Sequence, residues 1–72
     1  MTTSVHRELD EIYTNSGGFL HRTDGPALIR RNGTREWWIS GWRMRTQKML
    51  QEALELTNEE MLHFFLINGS FN

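Results

Sequence analysis

Three glycines fall at eight-residue intervals, Gly25, Gly33 and Gly41, each inside a turn signal: Asp24-Gly25-Pro26, Asn32-Gly33 and Ser40-Gly41. Breaks that close together leave no room for a helix of ordinary length, so this part of the chain reads as short strands joined by tight turns. Asp24 offers a side-chain acceptor, Pro26 fixes its own φ and restricts Gly25, and Asn32-Gly33 suits the positive φ angles of a type I′ turn. Ala27 to Arg31 then forms one strand and Thr34 to Ile39 its partner. Ser40-Gly41, type II′-like or bulged, leads into Trp42 to Arg45.

A two-residue loop at Asn32-Gly33 pairs Arg30 with Arg35, Ile29 with Glu36 and Leu28 with Trp37. A two-residue loop at Ser40-Gly41 pairs Ile39 with Trp42, Trp38 with Arg43, Trp37 with Met44 and Glu36 with Arg45. This register puts Leu28, Trp37 and Met44 in one apolar row, with Ile39 and Trp42 on the same face. The other face carries Trp38 beside Arg43, a cation–π pair, and Glu36 beside Arg45 makes a surface ion pair. Arg30 opposite Arg35 is unfavourable by itself. Either both guanidiniums splay into solvent or reach acidic helix residues, or they await an acidic partner or a phosphate.

After Arg45 the hydrophobic period changes. Thr46 is an N-cap for a helix from Gln47 to Leu56, whose apolar face is Met49, Leu50, Ala53, Leu54 and Leu56. Thr57-Asn58-Glu59-Glu60 is a capping box opening a second helix, Asn58 to Asn68, with Gly69 as its C-cap. Met61, Leu62, Phe64, Phe65, Leu66 and Ile67 cover more than one face of it. That helix is either packed on two sides or paired with another subunit. Ahead of the sheet, Ser4 is an N-cap candidate and Val5, Leu9 and Ile12 suit two helical turns over residues 5–12; a strand from Glu11 to Thr14 is the competing reading.

The expected fold is therefore α+β: a small antiparallel sheet of three to four strands in consecutive hairpins, residues 19–45, packed against two C-terminal helices, residues 46–68. The 72 residues form one domain, 1–72, of a size that buries only about 60% of its unfolded surface. The absence of cysteine removes disulfides and cysteine-bound zinc, as expected of a reducing compartment. Neither an apolar leader region nor a run of about 18 apolar residues is present. A cytoplasmic protein with no membrane partner is expected.

No reactive constellation emerges. His6, His21 and His63 lack metal-ligand spacing, Ser16, Thr23 and Ser40 lack a glycine-framed elbow, and Gly17-Gly18 is not followed by a phosphate-loop lysine. A non-enzymatic protein without cofactor or metal is expected. Charge is unevenly placed: residues 19–48 carry seven basic and two acidic side chains, residues 49–72 four glutamates and no lysine or arginine. Trp38, Arg43, Arg30 and Arg35 form the candidate partner-binding set, since tryptophan and arginine dominate interface hot spots. A protein-binding module fits this composition best. The alternatives are single-stranded nucleic-acid binding through the tryptophan and arginine sheet, and a structural or self-assembling protein, including a homodimer through residues 58–68.

Residues 13–45 add a resemblance. His21-Arg22-Thr23-Asp24-Gly25-Pro26-Ala27, followed by Asn32-Gly33-Thr34, Trp37-Trp38-Ile39 and Gly41, is similar to the MORN-like repeats with an HR-x-DGPA signature found in small uncharacterised proteins of tailed bacteriophages and some bacteria. Leu20-His21-Arg22 resembles one repeat start and Arg43-Met44-Arg45 the next, twenty-three residues on, with Met44 in place of the repeat histidine. The array then stops after one complete unit, so the flanking elements read as caps. The resemblance implies that His21, Arg22 and Asp24 are structural and implies no enzymatic activity. It also implies a phage-encoded protein in the bacterial host cytoplasm, whose partner is a host or phage protein that it inhibits or modulates.

Overall fold

The structure, a computed structural model, describes residues 10–71. The N-cap at Ser4 and most of the helix expected over 5–12 lie outside the described residues. Where the two N-terminal readings overlap, strand β1 (Glu11–Ile12) is found. It pairs antiparallel with β2 (Leu28–Ile29), which pairs with β3 (Arg35–Glu36). A second antiparallel pair, β4 (Trp38–Ile39) and β5 (Trp42–Arg43), follows at once. Helices α1 (Gln47–Leu54) and α2 (Asn58–Asn68) complete an α+β fold of antiparallel strands and two C-terminal helices. No helix among the described residues is long and apolar enough to cross a membrane.

The strand ladder breaks at Tyr13 and at Trp37, and the pairing changes partner there. Tyr13 donates its N–H to the Ala27 carbonyl and accepts from the His21 N–H, while the Trp37 carbonyl accepts from Met44. The two hairpins that follow these breaks thus share a backbone pattern, and the segment at Leu20 to Arg22 ties them together. Arg22 N–H donates to the Trp38 carbonyl, and the Leu20 carbonyl accepts from Gly41.

The two turns exchange the geometries expected of them. At Ser40-Gly41 the predicted two-residue pairing holds, Trp38 with Arg43 and Ile39 with Trp42. Both central residues have positive φ, 49° and 84°, which makes this the type I′ turn. The Asn32-Gly33 loop is one residue longer than expected. The Gly33 N–H donates to the Arg30 carbonyl and the Arg30 N–H to Thr34, so Leu28 faces Glu36 and Ile29 faces Arg35. A turn followed by a positive-φ glycine is the three-residue solution to the same asparagine–glycine sequence.

Charge explains the choice. The shorter loop would put Arg30 against Arg35; the longer one brings Arg30 onto the face of Glu36 and sends Arg35 to the opposite face.

The core is small: Ala27, Leu28, Trp37, Met44, Leu50 and Met61 are buried. Trp37 is its centre, 2% exposed, with the rings of Phe64, Phe65 and Phe71 at centroid distances of 5.7, 5.7 and 5.8 Å. Its indole Nε1–H donates to the Phe71 carbonyl over 2.7 Å, so the tail after α2 closes over the tryptophan and its polar atom is satisfied. Trp42, expected on the core face, is 75% exposed. Trp37 with the α2 phenylalanines and Phe71 fills the space beneath the sheet. The apolar face expected of α1 contributes one buried side chain, Leu50, with Leu54 packed beside it.

Both helices begin as their sequences require. Thr46 Oγ1 accepts from Met49, and the Thr57–Glu60 box is complete, with each side chain taking the other residue's N–H. α1 ends two residues early, at a left-handed Glu55 (φ 58°), because the chain must reverse before Thr57.

Candidate functional site

The four side chains singled out for partner binding, Trp38, Arg43, Arg30 and Arg35, do not form one patch. Three converge on Glu36, a buried carboxylate. Arg30 donates two hydrogen bonds to Oε2, from Nε at 3.0 Å and from a terminal nitrogen at 2.8 Å, and Trp38 Nε1–H donates to Oε1 at 3.0 Å. Arg43 Nε stands 4.0 Å from Oε1. Burial pushes the Glu36 carboxyl up, but the hydrogen bonds from Arg30 and Trp38 and the charges of Arg43 and Arg30 outweigh it, holding the group below the usual glutamate range.

Two expected contacts are replaced by this hub. Glu36 pairs with Arg30 and Arg43 rather than with Arg45, and in place of the cation–π pair expected with Arg43, Trp38 donates its indole N–H to the carboxylate. Guanidinium-over-ring contacts form at Arg22 over Tyr13, 4.0 Å, and at Arg35 over Trp37, 5.6 Å.

Arg35 works on the other face. It donates to the carbonyls of Asn68 and Ser70, at the end of a helix with no basic residue in its own last turn. The strand thus lends α2 the positive charge that a helix C-terminus favours.

The residues expected to shape turns do so through identifiable contacts. Arg22 Nε donates to Asp24 at 2.8 Å, and a terminal nitrogen donates to the Pro26 carbonyl at 3.2 Å, clamping the Asp24-Gly25-Pro26 turn. A Cβ on Gly25 would stand 2.9 Å from the Arg22 guanidinium carbon, so a larger residue there displaces the clamp. His21 Nδ1 accepts from the Ser40 N–H at 2.9 Å. Asn32 Oδ1 accepts from Thr34.

The acidic helices do not neutralise the basic sheet. Among the described residues Glu52, Glu55 and Glu59 make no ion pair, and Arg45 makes neither ion pair nor hydrogen bond. Two kinds of surface stay open. On α2, Leu62, Leu66 and Ile67 are 72, 81 and 71% exposed. Leu62 and Leu66 line a groove of about 610 Å³ between the helices, with Met61 and Phe65, and Ile67 lies on a separate groove with His63 and Phe64. On β5, Trp42, Arg43 and then Arg45 are exposed. The α2 ridge was legible as surplus hydrophobicity; the Glu36 hub was not, because it depends on the loop length at Asn32-Gly33.

No protein-family model, curated protein or solved structure matches the chain.

Proposed function

We propose that this chain is a small non-enzymatic protein-binding module acting through the apolar ridge of α2, and, following its resemblance to phage MORN-like repeats, a phage-encoded modulator or inhibitor of a bacterial host protein in the host cytoplasm. The observation that carries the reading is the exposure of Leu62, Leu66 and Ile67 on a helix whose other side already fills the core. Exposed apolar side chains grouped beside a groove favour a partner's apolar segment.

The flanking charge specifies that partner. Residues 49–72 carry Glu52, Glu55, Glu59 and Glu60 and no lysine or arginine, so the segment that fits is an amphipathic helix with apolar anchors and basic flanks. Trp38, Arg30 and Arg35 then hold the fold that presents α2, and Arg43 stays exposed at the end of β5.

The test is a Leu62→Glu, Leu66→Glu double variant compared with wild type. Each protein is used to capture a host protein from bacterial lysate, the captured protein is purified, and its affinity is measured at two salt concentrations. Wild type should bind, more weakly at high salt, and the variant at least tenfold less tightly with its fold intact. Equal affinity overturns the reading. So does a wild-type protein that self-associates through this ridge in sedimentation velocity, since a second copy would then occupy it.

A further inference from the structure

At the end of the β4–β5 hairpin a small cleft of about 160 Å³ is lined by Arg35, Arg43 and Arg45, with Glu36, Trp37, Met44 and Phe71 completing its walls. Three guanidiniums and one carboxylate leave two net positive charges on the lining. Chain order explains how they meet: Arg43 ends β5 and Arg45 follows two residues on, while Arg35 and Glu36 form β3 just before β4 begins the hairpin.

The carboxylate offsets only part of this charge. Its Oε2 takes both hydrogen bonds from Arg30 and its Oε1 one from Trp38, and Arg43 joins only as a long ion pair at 4.0 Å with no hydrogen bond to it. Arg45 is exposed and has no partner among the described residues. Arg35 is fixed by the carbonyls of Asn68 and Ser70, so one wall is rigid while the other two guanidiniums keep donors for a ligand.

We propose that this cleft is a binding site for a single phosphate monoester group. Its volume equals that of about five waters at roughly 30 Å³ each, room for one tetrahedral oxyanion and some of its hydration. A phosphate monoester carries about −1.5 to −2 at neutral pH, matching the lining, whereas a carboxylate or a phosphodiester brings one charge. Guanidinium forks hold such oxygens in pairs. The site lies on β5, apart from the α2 ridge, and stands independently of the function proposed for that ridge.

The experiment follows backbone amide and arginine Nε resonances of the full chain during titration with inorganic phosphate, with a phosphoserine-containing peptide, with acetate and with a single-stranded oligothymidine. Saturable shifts at Arg43 and Arg45 are expected with phosphate. Tighter binding of the phosphopeptide would identify the source as a phosphorylated protein, and equal or weaker binding the free anion. Affinity should rise as pH increases through about 6, where the second phosphate proton is lost, and fall at least tenfold in Arg45→Ala. That variant removes no internal contact and keeps its fold. Absence of saturation, an unchanged affinity in Arg45→Ala, acetate binding as well as phosphate, or an oligonucleotide preferred over both monoesters would each overturn the proposal.

Discussion

Replacing Glu36 with glutamine tests the hub directly, because the substitution keeps the size of the side chain and removes one acceptor oxygen with the charge. In the folded protein both carboxylate oxygens receive donors, Arg30 on one and the Trp38 indole on the other. An amide offers one acceptor and one NH₂. Whichever way it turns, its NH₂ meets either the guanidinium or the indole, both donors. The loss of hydrogen bonds to a charged group costs about 1.5–3 kcal/mol, and a donor left facing a donor about 1–3 kcal/mol. Water reaching Arg30, whose side chain is 47% exposed, relieves part of this. A destabilisation of about 3 kcal/mol is a large share of the roughly 4–11 kcal/mol available to a chain of this length. It should lower Tm by roughly 12 to 24 °C. Thermal and urea unfolding followed by circular dichroism measure it, and pH supplies a second check. Since the folded-state pKa is lowered, the stabilisation from Glu36 is complete above its ordinary value of 4.5 and lost as pH falls through the folded value. Wild type should therefore approach the variant's stability in acid. A variant within about 0.5 kcal/mol of wild type at neutral pH, in the range of ordinary surface changes, would refute the reasoning.

Gly25→Ala places a methyl 2.9 Å from the Arg22 guanidinium carbon and 3.1 Å from Asn68 Oδ1; displacing that clamp should cost about 1–3 kcal/mol in urea unfolding. Thr57→Ala removes the acceptor of the Glu60 N–H, and the loss should be about 1 kcal/mol, with faster amide exchange in the first turn of α2. Trp42→Ser should change the unfolding free energy by no more than about 0.5 kcal/mol, because the ring is 75% exposed; a loss of several kcal/mol in chemical denaturation would show that it belongs to the core.

The elements that the sequence specified best are those whose signals are local. The capping box at Thr57 to Glu60, the cap at Thr46 and the two-residue turn at Ser40-Gly41 each depend on residues within four positions of one another. The fold class followed from them. What was not legible depends on partners far along the chain. Trp37 is buried as its row predicted, but the tail carbonyl that takes its indole lies thirty-four residues away, and Trp42, expected on the same face, is 75% exposed. Strand β1 was held open against a helix because Val5, Leu9 and Ile12 fit helical spacing; the structure decides Glu11–Ile12 through pairing with Leu28 and Ile29.

The candidate site turned on one residue of loop length. Asn32-Gly33 is compatible with a two-residue loop and with a three-residue one, and both satisfy the backbone about equally well. Side chains therefore decide, and they do so through charge. In one register two arginines face each other; in the other Arg30 finds Glu36, and Arg35 is released to cap α2. The same shift that removes Arg30, Arg35 and Trp38 from an open binding face leaves Arg43 and Arg45 with excess charge at the end of β5. An arginine-rich sheet is thus sorted by register into side chains that hold the fold and side chains that have charge left over, and residue type alone does not reveal which is which.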